Sequence, residues 1–332
     1  MKETLNRLIN HDILSKADAK EILVNMAKGD YNTSQIAAFL TVYMMRSITI
    51  EELEGFRDAL LELCLAVDLS EYYPVDLCGT GGDGKDTFNI STLASFVTAG
   101  AGVKVTKHGN YGVSSKCGSS NVMEFLGIKF SNEGDFLERC IDIAGICVLH
   151  APLFHPAMKN VAPIRRELSV KTFFNMLGPM VNPAFPKNQM VGVFNLELAR
   201  MYGYLYQNTN KKFTILHALD GYDEISLTGK TKTISNTSES MLRPEDFGVE
   251  TIGQSEITGG ESIEASARIF VDVLEGNGTE AQNNVVCANA GVAIATVKNL
   301  EVKEGFGLAK ESLLSGKGLK ALKKLQELSK AS

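Results

Sequence analysis

The sequence predicts an α/β protein, with a small all-helical domain and a larger domain whose mostly parallel sheet is flanked by helices. Three observations lead there. Residues 1–70 place apolar side chains at helical spacing. From Pro74 onward, short apolar runs alternate with helical stretches, the pattern of parallel strands covered by helices. Residues 155–182 then interrupt that alternation with helical segments and prolines, which groups them with the opening helices.

In order, helices are expected over 19–26, 34–45 and 50–65, with Ser15, Thr33 or Ser34, and Thr49 as caps. Val75-Asp76-Leu77-Cys78 is a buried strand that ends in a glycine cluster. Further strands are expected over 103–106, 145–149, 189–194 and 213–218, and helices over 90–100, 119–126 and 197–208. Pro163 lies within a helical stretch and marks a kink or boundary. Pro179, Pro183 and Pro186 mark a loop. Residues 228–258, rich in Thr, Ser and Gly, read as strands and loops, and 284–297, 303–315 and 319–329 as helices.

The chain has 332 residues, 44% hydrophobic and 22% charged, the balance of a globular protein. With 33 basic against 39 acidic residues the net charge is −6, which argues against broad binding to nucleic acid or anionic membranes. A small cationic pocket for a phosphorylated metabolite remains compatible with it. No apolar run reaches the ~20 residues of a membrane span, and residues 2–14 lack a signal-peptide pattern. The six cysteines include no Cys-x-x-Cys pair and read as reduced thiols, so a cytoplasmic setting is expected.

The most informative stretch runs from Asp76 to Thr87, where Gly79, Gly81, Gly82 and Gly84 follow the strand. Such a loop lets the backbone approach a ligand and turns its amides toward an anion. Two familiar patterns match here and fail on context. The dinucleotide fingerprint (Gly79, Gly81, Gly84) wants an acidic residue at the end of the next strand, where Lys107 and His108 stand. The triphosphate loop wants a hydroxyl after Lys85, where Asp86 stands. Asn89, Ser91 and Thr92 then open a helix, as caps or as holders of a phosphate or a metal-bound water.

A second segment, Lys107 to Ser120, interleaves cations, glycines and hydroxyls after the strand 103–106. Lysine supplies a point charge and serines donate to oxyanions. Ser119 or Ser120 is expected to cap the next helix. Ligands of open α/β sheets lie at the carboxyl ends of strands, so the two loops can converge. Asp223-Glu224, after the strand 213–218, can hold magnesium, which needs only one or two carboxylates beside waters and phosphates. Arg165 and Arg166, on a helical run opened by His155 and Pro156, can pair with a planar carboxylate.

Together these residues resemble the anthranilate phosphoribosyltransferase family. The resemblance rests on Asp76 to Asp83, Asn89-Ile90-Ser91-Thr92, Lys107-His108-Gly109-Asn110 with Val113-Ser114-Ser115, and His155-Pro156-Ala157-Met158-Lys159. It extends through Arg165-Arg166-Glu167-Leu168, Asn175-Met176-Leu177-Gly178-Pro179, Asn182-Pro183 and Asp223-Glu224, and so spans nearly the whole chain. It implies a helical domain from residues 1–70 and 155–187 and an α/β domain from 71–154 and 188–332, with the active site in the cleft between them. It also implies a homodimer joined through the helical domain. The implied reaction moves the phosphoribosyl group of phosphoribosyl pyrophosphate onto anthranilate, with magnesium required, in tryptophan biosynthesis.

By position, the resemblance assigns Gly79, Gly82, Asp83, Thr87, Asn89, Ile90, Ser91, Thr92, Lys107, His108, Gly109, Asn110, Tyr111, Gly112, Val113, Ser114, Ser115 and Ser119 to phosphoribosyl pyrophosphate. Anthranilate is assigned Asn110 and Arg165, with Gly79, His108, His155 and Pro179 along its path. Ser91 is assigned to one magnesium, and Asp223 with Glu224 to another. Tyr111 departs from the family pattern, which often has arginine there. No side chain is assigned as an indispensable proton acceptor, since anthranilate's amine is neutral at pH 7. The alternatives are a pyrimidine nucleoside phosphorylase, which Asn110, Arg165 and Asp223-Glu224 disfavour, and a noncatalytic nucleic-acid-binding relative, which the net charge disfavours.

Overall fold

A computed structural model describes residues 1–112 and 117–331; Val113, Ser114, Ser115 and Lys116 lie outside the described residues. The chain divides into two compact units, Met1–Ala66 with Ala151–Pro183, and Val67–His150 with Ala184–Ser332. Each boundary falls a few residues before the one expected from the sequence.

The first unit is helical. Its longer helices are Lys2–Ile9, Lys16–Lys28, Thr33–Met45 and Ile50–Leu63, followed by Ala162–Leu168 after the chain returns. Ser15 caps the second helix by accepting from the Asp18 amide at 3.1 Å. The third is capped by Asn32, with Gln35 completing a reciprocal box, and not by Thr33 or Ser34. An amide oxygen one residue upstream accepts the same orphan N–H that a hydroxyl would have taken. Pro163 lies in the first turn of its helix, where a missing N–H leaves no gap, so it marks a boundary and not a kink. Phe39, Tyr43, Phe56 and Phe173 form the core, with Phe56 and Phe173 stacked at 4.4 Å.

The second unit is built on a sheet whose described strands are β1 (Val75–Gly79), β2 (Val105–Gly109), β3 (Ile146–His150), β4 (Asn188–Gly192), β5 (Lys212–Ala218), β6 (Thr231–Ser235) and β7 (Glu239–Leu242). Their spatial order is β3-β2-β1-β4-β5-β6-β7. The first five run parallel, and β6 and β7 are antiparallel additions at one edge. The mostly parallel sheet expected from the sequence is therefore present. Helices Ile90–Gly100 and Glu280–Lys298 pack on the central strands, and Leu196–Gln207 packs on β5 and β6. Helix Ile263–Leu274, N-capped by Ser262, occupies a segment left unassigned by the sequence.

Because β2 and β3 lie on one side of β1 and β4 on the other, the strand order reverses between β1 and β4. Ligands of open α/β sheets bind at the carboxyl ends of the strands flanking such a reversal. Buried polar groups fix this centre. Asp76, fully buried on β1, accepts from the His108 amide at 3.3 Å and from the Gln189 side-chain amide at 3.2 Å. Gln189 in turn accepts from the Tyr206 hydroxyl at 2.7 Å.

All six cysteines are free thiols. Among the described residues no single helix is long and apolar enough to cross a membrane.

Candidate active site

The glycine loop, the start of helix Ile90–Gly100 and the acidic turn after β5 come together at the carboxyl ends of β1 and β4. Gly81, Gly82 and Gly84 have φ of +65°, +76° and +75°, a left-handed backbone that other residues rarely adopt. That conformation turns the Gly81 amide onto Asp223, which accepts it at 2.6 Å. Glu224 accepts from the Ser91 amide at 3.0 Å and from the Thr87 hydroxyl at 3.2 Å. The acidic pair, Asp83, Thr87 and Ser91 are thus neighbours, although more than 130 residues separate the two halves. The loop is pinned at its far end, where Gly259 donates to the Asp86 carbonyl at 2.9 Å.

The electrostatics of this cluster are unusual. Asp223 and Glu224 are only 7% and 9% exposed. Burial, reinforced by the charge of Asp83, pushes the Asp223 carboxyl up to about 7. Burial together with Asp223 and Asp83 pushes Glu224 well above the usual carboxylate range. Among the described residues no ion pair joins either carboxylate, so burial and like charge oppose their ionisation, the condition that a bound cation relieves. Among the described residues no group of three or more His, Cys, Asp or Glu side chains is arranged to hold a metal. Two carboxylates with hydroxyls nearby therefore fit magnesium, which keeps waters and shares phosphate oxygens, and do not fit a zinc-type cage.

The second anion segment follows β2. Lys107 is buried and its ammonium donates to the Leu77 carbonyl at 2.7 Å. Helix Ser119–Phe125 is capped by Gly118, not by Ser119 or Ser120. Ser119 instead donates to the Asn110 carbonyl at 3.3 Å, and Ser120 bonds the His150 ring at 2.9 Å. Both hydroxyls are taken by the strand ends they pack against. Asn121 accepts from the amides of Gly112 and Gly118, each at 3.0 Å. Tyr111 packs against His150 at 4.8 Å and its hydroxyl donates to Glu124 at 3.2 Å. Asn89 donates to the Cys117 carbonyl at 3.1 Å. Ile90 and Thr92 are buried, leaving chiefly their main-chain groups for a ligand.

Three assigned residues belong to the helical unit. Arg165 lies over the Phe174 ring at 5.0 Å and reaches the Asn175 side-chain oxygen at 3.4 Å. Burial lowers its guanidinium to about 10. Among the described residues no carboxylate forms an ion pair with it. His155 is buried, its Nε2 2.9 Å from the Val181 carbonyl oxygen, and burial lowers its pKa. Pro179 sits in the short helical turn Gly178–Val181.

Two kinds of residue were not found from the sequence. Gly192, at the end of β4, pairs with Gly79. A Cβ on either would overlap Asp223, on its carbonyl oxygen from Gly192 and on its carboxylate from Gly79. These glycines let the acidic turn lie flat across the strand ends. Asn289, in helix Glu280–Lys298, holds the backbone of Ile225 directly after the acidic pair. Gly192 could have been suspected from its place at a strand end, whereas Asn289 carried no such signal.

Comparison with known proteins decides the family. Residues 71–319 match the α/β domain of a glycosyl transferase family, and residues 2–64 match that family's helical bundle domain. An anthranilate phosphoribosyltransferase of Flavobacterium psychrophilum is 76% identical over 329 residues, covering 99% of this chain and 100% of the relative. The chain belongs to the anthranilate phosphoribosyltransferase family. It is accordingly a pentosyltransferase.

Solved structures agree. The family member from Thermus thermophilus superposes with a TM-score of 0.91 at 30% identity, covering 98% of this chain and 99% of its own. That from Saccharomyces cerevisiae, solved with phosphoribosyl pyrophosphate and magnesium, gives 0.90 at 28% identity, covering 99% and 97%. Given the family chemistry, Gly192→Ala has a defined consequence. The added methyl must displace the Asp223 backbone, costing about 1–3 kcal/mol of stability. Moving the acidic turn by even ~1 Å is expected to lower the transferase rate about 100-fold. Urea unfolding and a rate assay on the same preparation check both.

Proposed function

We propose that this chain joins the amine of anthranilate to the ribose C1 of 5-phosphoribosyl 1-pyrophosphate in tryptophan biosynthesis. The C1–O bond to pyrophosphate breaks, the C1–N bond forms, and the amine gives up a proton, leaving N-(5-phosphoribosyl)anthranilate. The observation that carries this reading is 76% identity along 99% of the chain to a protein of that name. The cluster of Gly81, Ser91, Asp223 and Glu224 supports it from the side of the chemistry.

In this reading the glycine loop (Gly79, Gly82, Asp83) and Thr87, with Asn89, Ile90, Ser91 and Thr92, receive the phosphoribosyl pyrophosphate. Lys107, His108, Gly109, Asn110, Tyr111, Gly112 and Ser119 complete the site, as do Val113, Ser114 and Ser115 outside the described residues. Asp223 and Glu224 hold one magnesium and Ser91 helps hold a second. When bound, magnesium neutralises charge that builds on the departing pyrophosphate. The protein's own share is to present amide donors to that leaving group and to hold the amine in line with C1. Anthranilate's amine is a weak base, neutral near pH 7, so no strong general base is needed. Asn110 and Arg165 contact anthranilate, with Gly79, His108, His155 and Pro179 lining its path. A partly buried guanidinium with no carboxylate partner among the described residues suits a ligand carboxylate.

Assembly as a homodimer through the helical unit and a cytoplasmic location belong to the same reading. Ile9, Ile13, Met44 and Met45, exposed on that unit, support the first, and free cysteines support the second. Sedimentation of the wild type and Met45→Glu tests the dimer, with a shift to monomer in the variant expected.

The direct test follows anthranilate fluorescence with phosphoribosyl pyrophosphate, with and without magnesium. Loss of signal only when protein, both substrates and magnesium are present is the expected result. No loss with folded protein rejects the reading and favours a nucleoside phosphorylase. Arg165→Ala is expected to raise the KM for anthranilate at least about tenfold, the loss of roughly 1.4 kcal/mol or more of binding. The KM for phosphoribosyl pyrophosphate should stay within about twofold, as initial rates at varied concentrations of each substrate would show.

A further inference from the structure

We infer that Asn289 is a positioning residue for the metal-binding carboxylates, acting through the backbone of Ile225. The inference rests on the reading that Asp223 and Glu224 hold magnesium. Asn289 is fully buried in the helix Glu280–Lys298, between Ala288 and Ala290. Asparagine is a poorer helix former than the alanines beside it, and burying its amide is costly unless every polar atom is paired. Here the amide is paired along the acidic turn. Its Oδ1 accepts from the Ile225 N–H at 3.0 Å, and its Nδ2 donates to the Ile225 carbonyl at 2.9 Å. A second Nδ2 contact, to the Val285 carbonyl at 2.9 Å, ties the side chain to its own helix.

The side chain therefore pairs with Ile225 as a neighbouring strand would, from a rigid helix. The peptide joining Glu224 to Ile225 is fixed in orientation, and with it the direction in which Glu224 leaves the backbone. From the sheet side, Gly192 and Gly79 leave room for Asp223 alone to lie across the strand ends. Asn289 thus fixes the backbone on the Glu224 side, the glycines leave the space that Asp223 fills, and the Gly81 and Ser91 amides complete the orientation of the two carboxylates. Outer partners of this kind set ligand geometry, and their loss commonly costs 10–100-fold in metal affinity.

The test uses the full chain with Mn2+ as the probe, its free ion counted by electron paramagnetic resonance with phosphoribosyl pyrophosphate present. Asn289→Ala is expected to raise half-saturating Mn2+ at least about tenfold, and the magnesium concentration needed for half-maximal rate by a similar factor. The KM for anthranilate should move less than about twofold. Asn289→Asp keeps the shape and the acceptor but loses the donor, and should shift Mn2+ in the same direction; it carries the test if the alanine variant does not fold. Ser312→Ala serves as the control for mere destabilisation. It removes a buried 2.7 Å hydrogen bond to the Val97 carbonyl in the same unit, and should lower the melting temperature with Mn2+ binding unchanged. Unchanged Mn2+ binding in the folded Asn289 variants overturns the inference, as does an equal shift in Ser312→Ala. Absence of Mn2+ binding by the wild type rejects the underlying metal reading instead.

Discussion

Replacing Asp223 by Asn and Glu224 by Gln together should lower the transferase rate by at least about a thousandfold while raising the melting temperature in chelated buffer. The two effects share one cause. Both carboxylates are buried, close to Asp83, and pushed toward their neutral forms by burial and like charge. Groups so placed are costly in the free protein and repay that cost only when a cation joins them. The amide side chains keep an oxygen for the Gly81 and Ser91 amides, so the fold loses little. What disappears is the charge that draws the metal and, with it, stabilisation of the leaving group; removing a single such stabilising group commonly costs 100–1000-fold. Anthranilate consumption and calorimetry on one preparation check the pair of outcomes. A variant that loses activity and also melts lower would assign these carboxylates a structural role.

The second large effect lies in the helical unit. Glu52 is fully buried and accepts from the Leu14 amide, the Tyr43 hydroxyl and the Thr49 amide, each at 2.9 Å, and from the Arg46 guanidinium. Thr49 closes a capping box by accepting from the Glu52 amide at 3.2 Å. One carboxylate thereby joins the first helix linker, the third helix and the start of the fourth. Glu52→Ala leaves a nearly buried guanidinium, a hydroxyl and two backbone amides without this acceptor. Breaking a buried pair in this way costs about 3–5 kcal/mol, a large share of the ~5–15 kcal/mol that holds a domain together. Urea unfolding should show the loss at pH 7.

The pH dependence has a definite sign. Burial alone would raise the Glu52 carboxyl, but the Leu14 and Thr49 amides, Arg46 and Tyr43 hold it below the ordinary range. A depressed carboxylate contributes stability that is present above its unfolded pKa of ~4.3 and lost as pH falls through the folded value. The stability gap between wild type and Glu52→Gln should therefore narrow below about pH 4. A gap that stays constant down to pH 3 would contradict the network.

Much of this was readable before any coordinates. The helical spacing of the first 70 residues, the Ser15 and Thr49 caps, and the apolar run 75–78 followed by glycines all report on local physics. An orphan N–H is satisfied within three residues, and a strand needs only its own side chains to be recognised. β6 and β7 were read together only as strands and loops of a Thr-, Ser- and Gly-rich region, because the short edge strand β7 is largely exposed and carries no clear alternation. Helix Ile263–Leu274 lies in a segment the sequence reading left unassigned.

The sequence by itself determined the fold class, the glycine loop and the presence of an acidic pair at a strand end, since each depends on neighbours along the chain. Only the tertiary structure decided which groups meet. The Gly81 amide reaches Asp223 across 142 positions, and Asn289 reaches Ile225 across 64. Gly192 is required because another strand's turn crosses it, and Glu52 is a hub because Leu14 and Arg46 converge on it. Hydrogen bonds and steric exclusion act over a few ångströms of space, and their partners have no fixed spacing along the chain for a sequence pattern to record.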